Sequence, residues 1–132
     1  MQVSQNRLVR LVLGMSARDH VGKLHFQQLG WLPLAARSVQ LQLNLVHNIY
    51  INSAPVYLCK LFQKRSDAHS HLTRASIADL TMPTFTTEMG KRSFRFGGAV
   101  NWNSLPLSIK NTSSHLLFKI RVKAWLLENV AE

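Results

Sequence analysis

The sequence predicts a mainly α fold of the α+β type: a single helical domain over residues 1–132, with a small β hairpin and a closing C-terminal helix. Three observations carry this. Apolar residues recur at helical spacing near both ends, in "RLVRLVL" (residues 7–13) and "FKIRVKAWLL" (residues 118–127). Residues 34–51 hold one charged side chain, Arg37, and form a run far longer than the roughly five or six residues of an ordinary strand. The 132 residues are 46% apolar, enough to bury one sizeable core without a covalent staple.

In chain order, the first helix carries Leu8, Val9, Leu11, Val12 and Leu13, with Asn6 as its cap and Gly14 as its stop, and it presents Arg7 and Arg10 on one side. A second helix is expected over residues 20–28, opened by Asp19 and closed by Gly30. Pro33 suits the first turn of a third. Within that third segment local rules conflict, because Val39, Leu41, Leu43 and Leu45 alternate with Gln40, Gln42 and Asn44 as a half-buried strand would. Its length decides for helix. On a helical wheel Gln40, Asn44, His47 and Ile51 then share one stripe, free to face solvent or a partner.

Asn52, Ser53 and Pro55 break the third helix, and "VYLCKLFQK" reads as a short fourth one. "RSDAHSHLTRASIAD" is polar and loop-like, and "LTMPTFTT" reads as an edge strand or extended segment, which a hairpin across Glu88, Met89 and Gly90 would pair with "RSFRF". Gly97 and Gly98 permit close packing or a bend. The last helix, capped by Ser113 or Ser114, runs through Leu127. Phe118, Val122 and Trp125 form one apolar face and Leu116, Ile120, Ala124 and Leu127 another, so it is expected to be packed on two sides.

Sixteen Lys and Arg against six Asp and Glu give a net charge of +10, which points to a polyanionic partner, RNA or DNA ahead of a membrane surface. The longest unbroken apolar run, "WLPLAA", is far too short for the roughly 20 residues of a membrane span. Arg7 and Arg10 interrupt the only apolar stretch at the N-terminus, so no signal peptide is expected there. The single cysteine, Cys59, cannot form an internal disulfide and suits a reducing, intracellular setting, nuclear or cytoplasmic.

Read together, "QNRLVRLVLG", "DHV", "LGWLPLAAR", "APVYL", "GKRSF", "WNSLPLSIK" and "FKIRVKAWL" resemble, in order and spacing, the C-terminal, post-polymerase region of the reverse transcriptase of non-LTR (LINE-type, Jockey-like) retrotransposons. The likeness covers nearly the whole chain, and Trp-Asn-x-Leu-Pro followed by a basic helix is its most specific part. It departs from the family pattern at Ser38, Gln40, Leu41, Asn48 and Lys60, where basic, apolar or acidic residues are usual. The resemblance implies a segment of a larger polyprotein that sits beside an upstream polymerase and thumb, binding nucleic-acid backbones without catalysis of its own. The rival expectation is a structural or interaction segment, or a transposon remnant, that only packed against that thumb.

No catalytic, cofactor or metal site is expected. Polymerase chemistry needs clustered carboxylates to hold two metal ions, and Asp19, Asp67 and Asp79 stand apart. Asp19-His20 reads as a helix cap beside a semi-buried histidine, and Cys59 with His69 and His71 lacks the spacing of a zinc site. The candidate nucleic-acid contacts are Arg7, Arg10, Lys91, Arg92, Arg95, Lys110, Lys119 and Lys123. Cations beside Phe94, Phe96 and Trp102 would suit phosphates and stacked bases, but Phe94 and Trp102 are read as core anchors, and all three tryptophans, Trp31, Trp102 and Trp125, are expected to be buried.

Overall fold

A computed structural model describes residues 1–68, 70–71 and 77–129, and among these the regular structure is helical. The helices are α1 (Gln2–Leu13), α2 (Lys23–Leu29), α3 (Leu34–Tyr50), the single turns α4 (Val56–Cys59), α5 (Arg65–Ala68) and α6 (Glu88–Lys91), then α7 (Phe94–Asn103), the turn α8 (Leu107–Lys110) and α9 (His115–Asn129). None is long and apolar enough to cross a membrane among the described residues.

Helix ends follow local chemistry. Gly30 takes a left-handed φ of 65° after α2, and the Trp31 N–H reaches back to the Phe26 carbonyl at 2.9 Å, the pattern that closes a helix on a residue without a Cβ. Asn52 does the same after α3 with φ 58°, and the Ser53 N–H donates to the Asn48 carbonyl at 2.8 Å. The start of α2 differs from expectation. The Asp19 carboxylate accepts from the Ser16 N–H at 2.7 Å in the preceding turn and is unavailable as a helix cap, so α2 begins only at Lys23, where the His25 ring accepts from the Gly22 N–H at 3.1 Å.

The main core lies where α3 is packed between α9 and α7. Leu43 and Val46 of α3 meet Phe118, Val122 and Leu126 of α9, with Ala99, Trp102, Leu105 and Ile109 closing the other side. Gly98 makes this approach possible: a Cβ there would lie 2.9 Å from the Phe62 ring and 3.0 Å from a Val46 methyl. A smaller cluster of Val9, Val21 and Phe26 joins α1 to α2, with Leu13, Leu29 and Trp31 against it.

Further sequence expectations are corrected, the first being the Asn6 cap, since α1 begins at Gln2 and Asn6 lies inside it. The hairpin does not form, because "RSFRF" opens α7: the Ser93 hydroxyl caps it by accepting from the Phe96 N–H at 3.3 Å, and Glu88–Lys91 is itself a helical turn. The extended Thr-rich segment instead makes an isolated antiparallel bridge between Leu80 and Lys64. The polar stripe of α3 faces inward at Gln40 and His47, which are buried: Gln40 accepts from Arg37 one turn away on the same helix, and His47 meets His115 of α9. On α9 only the face of Phe118, Val122 and Leu126 is buried. Leu116, Ile120 and Ala124 are exposed, and Leu127 and Trp125 are half-buried. Trp102 is fully buried as expected, while Trp31 is half-buried.

Candidate nucleic-acid interface

Two stretches that mix cations with aromatic rings are built in opposite ways. In the first, around α6 and the start of α7, the Thr87 hydroxyl accepts from the Gly90 N–H at 3.1 Å and Ser93 caps α7, so residues 87–96 form a tight corner. Its rings turn to other rings: Phe94 meets Phe62 edge-on with centroids 5.4 Å apart, and Phe96 meets Phe85 at 6.3 Å. Its cations turn outward. Lys91 pairs with Glu88 at 2.9 Å, one turn away and fully in solvent, whereas Arg92 and Arg95 are exposed with no carboxylate within 4.0 Å among the described residues.

In the second stretch, "WNSLPLSIK", three side chains grip one short extended segment. The Trp102 indole N–H donates to the Ala78 carbonyl at 2.9 Å. Asn103 bonds Leu80 twice, accepting from its N–H at 2.9 Å and donating to its carbonyl at 3.0 Å, and so stands in for a neighbouring strand. Lys110 pairs with the Asp79 carboxylate at 2.5 Å and donates to the Asn103 carbonyl at 3.1 Å. Lys110 therefore leaves the set of candidate phosphate contacts: it is 5% exposed, and Asp79 neutralises it inside the protein.

The remaining candidates are spread over the surface. Arg7 is exposed on α1, while Arg10 is half-buried and its Nε donates to the Asp19 carbonyl at 2.8 Å. Both line a shallow groove of about 460 Å³ with Leu11, Met15 and Ala17. Lys119 and Lys123 are exposed one turn apart on α9. Arg7 and Arg10 thus share one groove, and no hydrogen bond or ion pair among the described residues joins them to the α6–α7 corner that carries Lys91, Arg92 and Arg95.

Sequence reasoning missed a histidine pair, the buried His47 and the half-buried His115. The His47 Nε2 lies 2.8 Å from the Thr112 carbonyl, which can only accept, so that nitrogen carries the proton. The His47 Nδ1 then accepts from the His115 Nδ1–H at 2.9 Å, and His47 is stacked on Phe118 with centroids 4.0 Å apart. Burial pushes the pKa of both rings below the ordinary histidine value; for His115 the neighbouring His47 and Lys119 act in the same direction. His47 and His115 are 68 positions apart, and the only signal in the sequence was a histidine on a polar stripe within an apolar helix.

Asp19 and His20 form no catalytic pair: Asp19 is engaged with Ser16, and His20 is exposed rather than semi-buried. Among the described residues no three His, Cys, Asp or Glu side chains are grouped to hold a metal ion. Of the Cys59, His69 and His71 set, His69 lies outside the described residues, as do residues 72–76 of the expected loop. No family model, curated protein or solved structure matches the chain.

Proposed function

We propose that the chain is the non-catalytic C-terminal region of a retrotransposon-derived RNA-directed DNA polymerase, and that it binds RNA or DNA backbones with little regard to base sequence. One observation carries the binding reading: three of the six carboxylates are engaged within the protein, and several cations stand on the surface without a carboxylate beside them. Asp79 is taken by Lys110 and, at 4.0 Å, Arg65; Glu88 by Lys91; Asp19 by a backbone turn. Arg7, Arg92, Arg95, Lys119 and Lys123 are exposed with no carboxylate within reach among the described residues, on a chain of net charge +10. Such a surface attracts phosphates by charge and by counterion release, and carries little base readout.

The test is salt dependence. Affinity of the full chain for RNA or duplex DNA should fall steeply between about 50 and 200 mM salt, and replacing Lys91, Arg92 and Arg95 together by Gln should lower the logarithmic slope by roughly 2 to 3. Unchanged affinity and slope in the triple variant would remove the main support for this reading. A second reading, a segment that packs against the rest of a larger protein, is favoured by the apolar side chains left in solvent: Leu8 and Leu11 on α1, and Leu116 and Ile120 on α9, each more than half exposed.

A further inference from the structure

A groove of about 390 Å³ opens where α1, the α2–α3 connection, α3 and α9 meet, lined by Gln5, Trp31, Leu32, Arg37, Gln40 and Lys123. Its chemistry is one-sided. Arg37 of α3 and Lys123 of α9 are exposed and have no carboxylate within 4.0 Å among the described residues; no acidic side chain borders the groove. Gln40 is 4% exposed, and its Oε1 accepts from the Arg37 guanidinium, which fixes that fork in place. Its Nε2 makes no hydrogen bond among the described residues, which leaves this donor beside the groove. The Trp31 ring, half-buried against the cluster of Val9, Val21 and Phe26, forms part of the wall and has no hydrogen bond from its indole N–H among the described residues.

Cations, an unused amide donor and an aromatic ring around a space much larger than one phosphate describe a site for an anion that carries a flat group. We infer that this groove holds one nucleotide of a single strand, its phosphate between Arg37 and Lys123 and its base against Trp31. The inference rests on the nucleic-acid reading above but uses different residues. A base stacked on a side chain cannot also be stacked in a duplex, so the groove selects unpaired strands, whereas the α6–α7 corner contacts backbones of either kind. Arg37, the only charged side chain between Leu24 and Cys59, thereby gains a role that its isolation in the sequence did not suggest.

The experiment uses the full chain labelled with nitrogen-15, following the three indole N–H signals, assigned by Trp→Phe variants, during titration with an eight-nucleotide oligouridylate, a duplex DNA of equal length, and inorganic phosphate. The oligouridylate should shift the Trp31 signal and leave that of Trp102 in place; duplex and inorganic phosphate should leave Trp31 unmoved. Replacing Arg37 and Lys123 together by Gln should weaken oligouridylate binding by on the order of tenfold and lower its logarithmic salt slope by roughly 0.7, the value for one neutralised single-strand phosphate. Trp31→Leu should cost about 5- to 100-fold in the same assay. The double Gln variant touches no core packing, so it decides the matter even if Trp31→Leu disturbs the fold. If the oligouridylate binds while the Trp31 signal stays still and the double variant matches its parent, the groove inference falls and the α6–α7 corner stands alone. A Trp31 shift reproduced by inorganic phosphate or by duplex would equally overturn it, and absence of any binding would sink both readings.

Discussion

The segment 102–110 and the corner 90–96 draw on the same residue types: each holds at least one aromatic ring and at least one cation, with no acidic residue of its own. Folded, they part. In the first, Trp102 and Lys110 are buried, and their polar atoms are satisfied by the Ala78 carbonyl, the Asp79 carboxylate and the Asn103 carbonyl. In the second, the rings pack on other rings while Arg92 and Arg95 stay in solvent. The difference lies outside both segments. A carboxylate from a separate part of the chain reaches Lys110, and none reaches Arg92 or Arg95, so where a cation ends up depends on the distant acid and not on its own neighbours. The comparison teaches that basic-aromatic composition alone marks neither a core nor a binding surface.

The largest break in that contrast comes from Trp102→Ala. The ring is inaccessible, stacks near Tyr50 and Phe118, and holds the Ala78 carbonyl, so truncation should lower stability by about 3 to 5 kcal/mol in urea unfolding. A loss below about 1 kcal/mol would return the ring to the surface and revive base stacking there. Next is Asp79→Ala, which strands the Lys110 ammonium without its counter-charge. A loss of about 3 kcal/mol is expected, below the extreme for a sealed pair because the Asp79 side chain keeps 16% of its exposure. Combining Lys110→Met with Asp79→Leu should recover most of that loss, since the cost is the uncompensated charge. If the single variant is as stable as its parent, Lys110 is free to swing out and rejoins the candidate contacts.

The histidine pair sharpens the same contrast by titration. Both pKa values are lowered by folding, so the neutral forms that fit the α3–α9 seam dominate above about 6.5, the ordinary histidine value, and stability there is complete. As pH falls below that value, the unfolded chain takes up protons before the folded one, and stability is lost until the folded pKa is passed. A second proton on His47 would set two N–H groups against each other across the 2.9 Å contact with His115, and Lys119 opposes charge on His115. Unfolding midpoints measured from pH 7.5 to 5 should drop, by at most about 1.4 kcal/mol per pH unit for each such proton. His115→Phe should flatten the profile; an unchanged profile would mean that other histidines cause it.

What the sequence made legible follows from range. The stops at Gly14, Gly30 and Asn52, the long third helix and the C-terminal helix depend on caps and periodicity within a few residues, and each is present. The expected hairpin is absent because Ser93, placed inside its second strand, acts as a helix cap, and because the Asn103 side chain supplies Leu80 with the pairing a second strand would have given. The inward stripe of α3, the withdrawal of Lys110 and the meeting of Arg37 with Lys123 depend on contacts between separate elements, which a local pattern does not encode.

The smallest effect is the one that isolates the corner. Lys91, Arg92 and Arg95 are exposed, and the lone ion pair among them, Lys91 with Glu88, joins two solvated side chains one turn apart. Such a pair adds little to stability, and the arginines have no described partner to lose. Replacing all three by Gln should therefore move the unfolding midpoint by no more than about 0.5 kcal/mol, even as it removes three positive charges from the surface. The companion variant Lys110→Gln should do the reverse, costing stability by leaving Asp79 buried without its closest cation while hardly altering the affinity for RNA. Circular-dichroism melts and salt titrations on the same two proteins place each on both axes. If the triple variant melts as far below the parent as the Lys110 variant does, the corner is structural, and the division between an inward and an outward basic segment collapses.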